Sequence, residues 1–236
     1  MASSRSGGGF AAFRHRPFTI FWLSLVVSNT GTWMQTIGQN WLIYQQTNRA
    51  TDLGLISLAF AIPMILLPPF GGVVVDRIPI RRLLLWTQSC SLVLALVATA
   101  LAFGDLIRVW NVVLLNIAGA TLLALDNPGR QALVPELVPR EALQNALSVN
   151  SAAFTGAALI GPALAGTLLP YLQPQGLFLL NAFSYLAVIG ALLALHGVGT
   201  RRKGSGRVSP WAGFAYVLES RTTVVLLLVL ALSGIL

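Results

Sequence analysis

The chain has few charged residues, and this scarcity excludes most classes of soluble protein. Charged residues make up 9% of the 236 residues, whereas hydrophobic residues make up 56%. A soluble globular domain carries about 25% charged residues, so this chain has too few to stay in water. Its mean hydropathy of +0.76 agrees with that conclusion. The composition therefore predicts a protein that resides in a lipid bilayer.

The residues that build disulfides, zinc sites and nucleotide sites are also scarce. Cys90 is the one cysteine, so an internal disulfide is excluded. His15 and His196 lie far apart at the edges of apolar runs, without the Cys/His clustering of a zinc site. The sequence contains no Gly-x-x-x-x-Gly-Lys-Ser/Thr phosphate loop, so we expect no ATP hydrolysis by this chain. We expect no metal, no cofactor and no catalytic residues.

What the sequence does contain is a series of long apolar runs. A helix needs about 20 apolar residues to cross the hydrocarbon of a membrane, and six runs reach that length. The runs lie at residues 18–44, 53–75, 83–104, 109–130, 144–169 and 176–196, and a seventh begins near 223. The sequence therefore predicts an all-α integral membrane protein with a six-helix bundle and the start of a seventh helix.

The basic residues are unevenly distributed between the segments that join these runs. The net charge of +8 would suggest a nucleic-acid partner for a soluble protein, but here it indicates membrane topology. The segments on the side of the N-terminus hold Arg5, Arg14, Arg16, Arg77, Arg81, Arg82, Arg130, Arg140, Arg201, Arg202, Lys203, Arg207 and Arg221. The opposite loops hold only Arg49 and Arg108. This asymmetry predicts a cytoplasmic N-terminus in a plasma (inner) membrane and no nucleic-acid partner.

A charged turn between the second and third runs carries a recognisable pattern. Gly72, Asp76 and Arg77 are followed by Arg81 and Arg82. This turn resembles the loop between helices two and three of major facilitator superfamily transporters, whose pattern is Gly-x-x-x-Asp-Arg-x-Gly-Arg-Arg. Pro79 and Ile80 depart from it. The resemblance implies that these residues bias the equilibrium between the two states of an alternating-access transporter.

The same resemblance implies a division of the chain. Facilitators consist of two six-helix bundles joined by a long cytoplasmic loop. We therefore expect a cytoplasmic tail at 1–17, a six-helix bundle at 18–196, the loop between the halves at 197–222 and a truncated seventh helix at 223–236. The chain then covers about half of the family fold. Either a C-terminal half follows that this sequence does not include, or the gene is broken.

The first run is unusually polar for a membrane helix. Asn29, Thr32, Gln35, Thr36 and Gln39 lie within it at spacings that place several of them on shared faces. Buried amides need partners, so these faces must meet other helices or a watery cavity. Hydrogen bonding between helices and a substrate cavity both remain open. The resemblance favours the cavity, because helices one and four line it in facilitators.

Asp126 is the one carboxylate inside a predicted span, and Arg130 follows it at the spacing that places both on one helix face. A charge inside a membrane span is a candidate functional group. Three interpretations are open. Asp126 could form a structural pair with Arg130, it could bind arginines of the 71–82 loop, or it could carry protons.

The fifth run contains small residues around a proline. Gly161, Pro162 and Gly166 are typical of close helix packing and of a bend. The segment also resembles the Gly-x-x-x-Gly-Pro-x-x-Gly-Gly motif of the antiporter members, with Ala157 and Ala165 in place of two glycines. The resemblance implies exchange of substrate against a cation, most simply protons.

Residues 126–146 are similar to the subgroup of siderophore (enterobactin-type) and drug exporters. Pro128, Pro135 and Pro139 are predicted to break the fourth helix and to shape a cytoplasmic connection. Together these resemblances imply a secondary exporter of small molecules, proton-coupled and working by alternating access. A non-transporting truncated module, or a half-transporter that needs a partner, is the alternative. An intramembrane enzyme would need paired catalytic groups, and Asp126 stands alone in the spans.

Overall fold

The computed structural model describes residues 11–195 and 197–199. Within that part, the side chains of residues 69, 70, 72, 73 and 76 are not described. Most of the predicted tail at 1–17, nearly all of the predicted loop at 197–222 and the whole of 223–236 therefore lie outside the described residues.

Every regular element in the described part of the chain is helical, as the composition predicted. The elements are a short 3-10 helix (Ala11–Arg14), α1 (Arg16–Thr47), α2 (Ala50–Leu66), α3 (Pro68–Arg77), α4 (Ile80–Phe103), α5 (Val109–Leu137) and α6 (Arg140–Ala194). Three of these helices, α4, α5 and α6, are long and apolar enough to cross a membrane. The fold is thus that of an α-helical membrane protein.

The second predicted span consists of two helices instead of one. α2 ends at Leu66 and α3 begins at Pro68, because Pro68 has no N–H for the carbonyl one turn earlier. The break is shallow, since Leu67 keeps helical backbone angles and donates its N–H to the Pro63 carbonyl at 2.9 Å. α3 then approaches α5 closely, because a Cβ at Gly71 would lie 2.7 Å from the Ala124 carbonyl oxygen.

The prediction that Pro128 and Pro135 would break the fourth helix is wrong. Both prolines lie inside α5, which continues to Leu137. A proline inside a membrane helix is tolerated where neighbouring groups satisfy the freed carbonyl. The helix ends one turn later, where Val138 is extended at φ −136° and ψ 150° ahead of Pro139. Helical backbone angles are unfavourable for the residue before a proline, so Pro139 is the residue that ends α5.

α6 contains both the fifth and the sixth predicted runs. Its one non-helical residue is Gln173, with φ 56° and ψ 173°, immediately before Pro174. We call residues 140–172 the first arm and residues 174–194 the second arm. Gly176 follows this turn, where a Cβ would lie 2.7 Å from that of Leu172, so the reversal favours glycine there.

Contacts along α1 show how the two arms run. Trp22 donates its indole N–H to the Val149 carbonyl at 3.1 Å, and further along α1 Trp33 lies against Gly161. The first arm is therefore parallel to α1. The second arm is antiparallel, since Gly31 meets Ser184 whereas Gly38 meets Leu177. α1 lies between the two arms.

The helix ends divide into two sets. One end of the bundle is closed by the largest apolar cluster, which includes Phe18, Ile80, Leu137 and Leu195. A second apolar cluster, which includes Ile43, Ile56 and Ile107, marks the opposite end. The chain segments at the first end carry Arg14, Arg16, Arg77, Arg81, Arg82 and Arg140, and those at the second end carry Arg49 and Arg108. We call the first of these the arginine-rich end.

Candidate functional site

A buried ion pair lies in the interior of the bundle. Asp126 is 2% exposed, and its Oδ2 accepts a hydrogen bond from Nε of Arg130, one turn along α5. The Arg130 side chain is 12% exposed. Two charges withdrawn from water need each other and further hydrogen bonds, and the structure brings both residues together in that way.

Helix α4 supplies the other partners of Asp126. Thr87 donates its hydroxyl to Oδ1 at 2.6 Å, and Gln88 donates its Nε2 to the same oxygen at 2.9 Å. With Arg130, the carboxylate thus accepts three hydrogen bonds. This arrangement satisfies an ionised aspartate, because a carboxylate without a proton only accepts. Thr87 is fully buried and Gln88 is 2% exposed, so these two donors act in a dry environment.

Arg130 extends the network to α1. Its Nη1 donates to Oδ1 of Asn29 at 3.2 Å. Helices α1, α4 and α5 are therefore linked through one buried carboxylate. We call Asn29, Thr87, Gln88, Asp126 and Arg130 the charged cluster.

Two oxygen atoms of the charged cluster, Oε1 of Gln88 and Oγ1 of Thr87, have unusual hydrogen bonding. Oε1 of Gln88 is buried and has no hydrogen-bond partner among the described residues. The Thr87 hydroxyl has two acceptors within reach, because the Leu84 carbonyl oxygen lies 3.1 Å away on the same helix. A threonine hydroxyl has one hydrogen to donate, so it can serve only one of these acceptors fully at a time.

A second polar cluster joins α1 to the second arm of α6. Asn181, which is 1% exposed, donates Nδ2 to Oε1 of Gln35 at 2.6 Å. Its Oδ1 accepts from the hydroxyl of Ser184 at 3.0 Å and from that of Thr32 at 3.5 Å. The Thr32 hydroxyl also lies 3.4 Å from that of Tyr185. We call these five residues the neutral cluster.

The remaining polar residues predicted on α1 make different contacts. Thr36 donates its hydroxyl to the Thr32 carbonyl at 2.9 Å, a bond within the helix. Gln39 is buried at 8% exposure. The five predicted residues of this helix therefore divide: Asn29 joins the charged cluster, Thr32 and Gln35 join the neutral cluster, and the other two belong to neither.

The described part of the 71–82 turn places its arginines at the arginine-rich end. Arg81 donates Nε to the Leu192 carbonyl at 2.8 Å and Nη2 to the Leu193 carbonyl at 3.1 Å, so it caps the end of α6. It does not contact Asp126. Arg77 and Arg82 are exposed. Gly72 and Asp76 lie in α3, but their side-chain environment is outside the described part of the structure.

The chain just after α6 packs onto Arg81 and α5. The Gly199 N–H donates to Oε2 of Glu136 at 2.7 Å, and its carbonyl accepts from the Arg81 N–H at 3.1 Å. Gly199 has φ +68°, and a Cβ there would lie 3.0 Å from the Arg81 nitrogen. These contacts fix the end of α6 against the start of α4.

The two glycines of the antiporter-type motif have different environments. A Cβ at Gly161 would lie 2.5 Å from Cβ of Trp33 and 3.0 Å from the Thr30 carbonyl oxygen, so the first arm touches the α1 backbone there. No atom of the described part of the chain lies within 4 Å of a Cβ built at Gly166. Pro162 lies inside α6, which remains helical there. Close packing therefore requires the first glycine but not the second.

Five partners in these clusters were missed in the sequence. They lie in otherwise apolar predicted runs: Thr87, Gln88, Asn181, Ser184 and Tyr185. Their burial was detectable, because a polar side chain in a membrane span needs an internal partner. Which partner each one takes depends on how the helices pack. Among residues 11–195 and 197–199, no three His, Cys, Asp or Glu side chains gather where a metal ion could bind.

Comparison with known families shows to which protein family this helical bundle belongs. The profile of a family described as transmembrane secretion effector matches residues 7–228. This chain belongs to the major facilitator superfamily. The turn at residues 71–82, where the family resemblance was first drawn, lies within the matched segment.

Curated relatives of this facilitator are transporters. The staphyloferrin A transporter of Staphylococcus aureus is 28% identical over 70% of this chain and 42% of its own length. The multidrug efflux pump Tap of Mycolicibacterium fortuitum is 25% identical over 78% of this chain and 46% of its own length. Macrolide efflux protein A of Streptococcus pyogenes is 24% identical over 75% of this chain and 42% of its own length.

The facilitator chain spans less than half the length of each of these relatives. Its relatives are named as transporters and efflux proteins, in a superfamily of non-enzymatic transporters, which confirms the prediction of a non-enzyme. A membrane location follows from membership of this family and from the apolar helices.

Proposed function

We propose that this chain is the N-terminal half of a secondary exporter that moves small molecules out of the cytoplasm in exchange for protons. The observation that carries the proposal is the buried Asp126–Arg130 pair, which links α1, α4 and α5 in the interior of a transporter bundle. Charged groups are kept inside membrane proteins where they bind substrates or ions.

Six membrane crossings would place the start of α1 and the end of α6 on the same side of the membrane. The two arms of α6 run in opposite directions, and α2 with α3 together match the length of one predicted run. The chain segments at the arginine-rich end would then face the cytoplasm of the inner membrane, because basic residues are retained on that side. The N-terminus would be cytoplasmic as well.

A working transporter of this kind needs a second bundle. Facilitators work by rocking two halves about a site at the membrane midplane. The C-terminal half would therefore be the partner of this chain, joined through residues 197–222. Residues 1–17 would be a cytoplasmic tail, and residues 223–236 would begin helix seven.

The class of substrate is proposed from the relatives, which by name carry staphyloferrin A, macrolides or several drugs. Asn29, Thr32, Gln35, Thr36 and Gln39 of α1 are the candidate cavity residues, together with Asp126 and Arg130. The two clusters support a narrower division of this set, in which the charged cluster carries the coupling proton and the neutral cluster positions α1.

The 71–82 turn is proposed as the conformational switch, with Gly72, Asp76, Arg77, Arg81 and Arg82 as its residues. Asp76→Asn should then abolish export while the protein still reaches the membrane. Export at the wild-type rate by a variant present in equal amount would remove this turn from the mechanism. Gly161, Pro162 and Gly166 are proposed as the antiporter-type segment.

The test of the function is an accumulation assay. The full-length protein that contains this chain is produced in bacteria lacking their own efflux pumps, and uptake of a radiolabelled macrolide is measured with and without a protonophore. We expect low accumulation that rises to the level of the empty-vector control when the protonophore is added. Low accumulation that the protonophore does not change would contradict proton coupling.

The size of the protein in its native membrane tests the half-chain alternative. An antibody against residues 197–222 should detect a band of about twice 25.2 kDa, because a facilitator of two bundles has about double the number of spans. A band at 25.2 kDa would instead indicate a half-transporter that needs a partner, or a module that does not transport.

A further inference from the structure

The Thr87 hydroxyl lies between two acceptors, and the geometry allows it to reverse its role. Its oxygen is 2.6 Å from Oδ1 of Asp126 and 3.1 Å from the Leu84 carbonyl oxygen. Distances of about 2.5–2.7 Å are typical of a hydroxyl that donates to an ionised oxygen. When Asp126 is ionised, the hydroxyl hydrogen of Thr87 therefore points to Oδ1 of Asp126. The Leu84 carbonyl then accepts only its hydrogen bond within the helix.

Protonation of Asp126 would reverse this arrangement without moving a heavy atom. The proton binds to Oδ1, and the new carboxyl O–H donates to Oγ1 of Thr87, which has free lone pairs. The Thr87 hydrogen turns to the Leu84 carbonyl. Gln88 keeps donating to the remaining lone pair of Oδ1, and Arg130 keeps donating to Oδ2. Every hydrogen bond of the carboxyl therefore has a counterpart in the neutral form.

We infer that Thr87 is a positioning residue that lets the buried carboxyl of Asp126 gain and lose the coupling proton. This inference rests on the proposed function and adds to it, because it assigns a role in coupling to α4. A neighbour that can both donate and accept keeps the carboxyl hydrogen-bonded in both protonation states.

The helices packed against α5 carry most of their charged groups at the two ends of the bundle. At the arginine-rich end, α4 carries Arg81 and Arg82 in its first turn, and α6 carries Arg140 and Glu141. Arg130 contacts Asp126 from α5, and α1 contributes the neutral Asn29 through that arginine. The partners from α4 are Thr87 and Gln88, which do not ionise. α3 also packs against α5 and carries Asp76 and Arg77 near its arginine-rich end, where the Asp76 side chain is outside the described set. α2 carries Asp52 in its first turn, at the opposite end of the bundle.

The test is infrared difference spectroscopy on the full-length protein in lipid, between acidic and neutral pH. The carboxyl C=O band of protonated Asp126 is identified by its loss in Asp126→Asn. Thr87→Val has the same shape without the hydroxyl, so the O–H of Asp126 loses its acceptor. We expect the band to move to higher wavenumber in this variant and to return to the wild-type position in Thr87→Ser.

Thr99→Val is the matched control. Thr99 is a buried threonine of the same helix, and its hydroxyl donates to the Ala95 carbonyl at 2.7 Å. This variant should leave the Asp126 band in place. The pH profile of macrolide export should change in the same variants as the infrared band. We expect a changed profile in Thr87→Val and the wild-type profile in Thr87→Ser and Thr99→Val.

Two results would overturn the inference. A band at the wild-type position in Thr87→Val would show that Thr87 does not accept from the carboxyl. If no band is lost in Asp126→Asn, the carboxyl does not take up a proton. In either case, export that a protonophore abolishes would leave the proposed function standing, whereas export that it does not affect would refute that function separately.

Discussion

The charged cluster and the neutral cluster each include residues of the same helix, α1, but their chemistry is different. In the first, Asn29 is tied to α5 through Arg130 and so to a carboxylate. In the second, Gln35 is tied to the second arm of α6 through the amide of Asn181. A carboxyl can change its charge with a proton, whereas amides and hydroxyls do not ionise at physiological pH.

This difference indicates how one helix can serve two roles. The neutral cluster provides hydrogen bonds that persist whatever the proton does, so it suits a contact that holds α1 in place. The charged cluster has bonds whose strength depends on the charge of Asp126, so it suits a contact that changes during transport. The following variants test that division, beginning with the one expected to have the largest effect.

Replacement of Arg130 should affect stability most. Arg130→Leu leaves Asp126 buried at 2% exposure without its cation, and an unpaired buried charge of this kind costs about 3–5 kcal/mol. Thermal unfolding in detergent should show a clear drop in the midpoint. The double variant Asp126→Asn/Arg130→Gln removes both charges and should recover most of that loss without recovering export. An unchanged midpoint in Arg130→Leu would mean that the pair does not hold the helices together.

Gly161 tests how α1 packs on the first arm of α6, away from both clusters. In Gly161→Ala the new methyl would lie 2.5 Å from Cβ of Trp33, so the helices must separate, at a cost of about 1–3 kcal/mol. Gly166→Ala meets nothing within 4 Å and serves as the control. We expect a lower unfolding midpoint only in the first variant. Equal midpoints would contradict the close approach of the two helices.

Asn181→Leu tests the neutral cluster. It removes the donor to Gln35, and side-chain hydrogen bonds between membrane helices are worth about 1–2 kcal/mol at most. The midpoint of unfolding should fall modestly, while the pH profile of macrolide export keeps its wild-type shape. A shifted pH profile would mean that the two clusters are coupled and that the proposed division of roles is wrong.

Of these variants, Arg81→Gln should have the smallest effect on stability. The variant loses the bonds to the Leu192 and Leu193 carbonyls at the end of α6, a cap worth about 0.3–1 kcal/mol at a surface position. Amide hydrogen exchange should speed up in the last turn of α6 and stay unchanged at Asp126. If exchange around Asp126 also changes, Arg81 is linked to the charged cluster as well as to the helix end.

Much of the fold could be predicted because membrane helices leave a simple signal. The apolar runs located α4 and the start of α5 closely. The spacing of Asp126 and Arg130 in the sequence places them one helical turn apart, and the structure has them in contact. Helical geometry alone determines such a local pair.

The rest of the site depends on packing between helices, and the sequence carries no direct signal for it. Thr87 and Asp126 are 39 residues apart in the sequence. They come into contact because α4 and α5 pack antiparallel in one particular register, and the sequence is compatible with several registers. Pro128 and Pro135 were misjudged for a related reason. Whether a proline ends a membrane helix depends on the neighbours that satisfy the freed carbonyl, and those neighbours come from other helices.

Proton release on substrate addition is the most direct test of the central claim, that Asp126 couples export to protons. Inside-out vesicles containing the full-length protein are acidified inside, and the pH gradient is followed with a fluorescent amine while a macrolide is added. We predict that the macrolide discharges part of the gradient with the wild-type protein and not with Asp126→Asn at equal abundance. Equal discharge by both proteins would contradict the account.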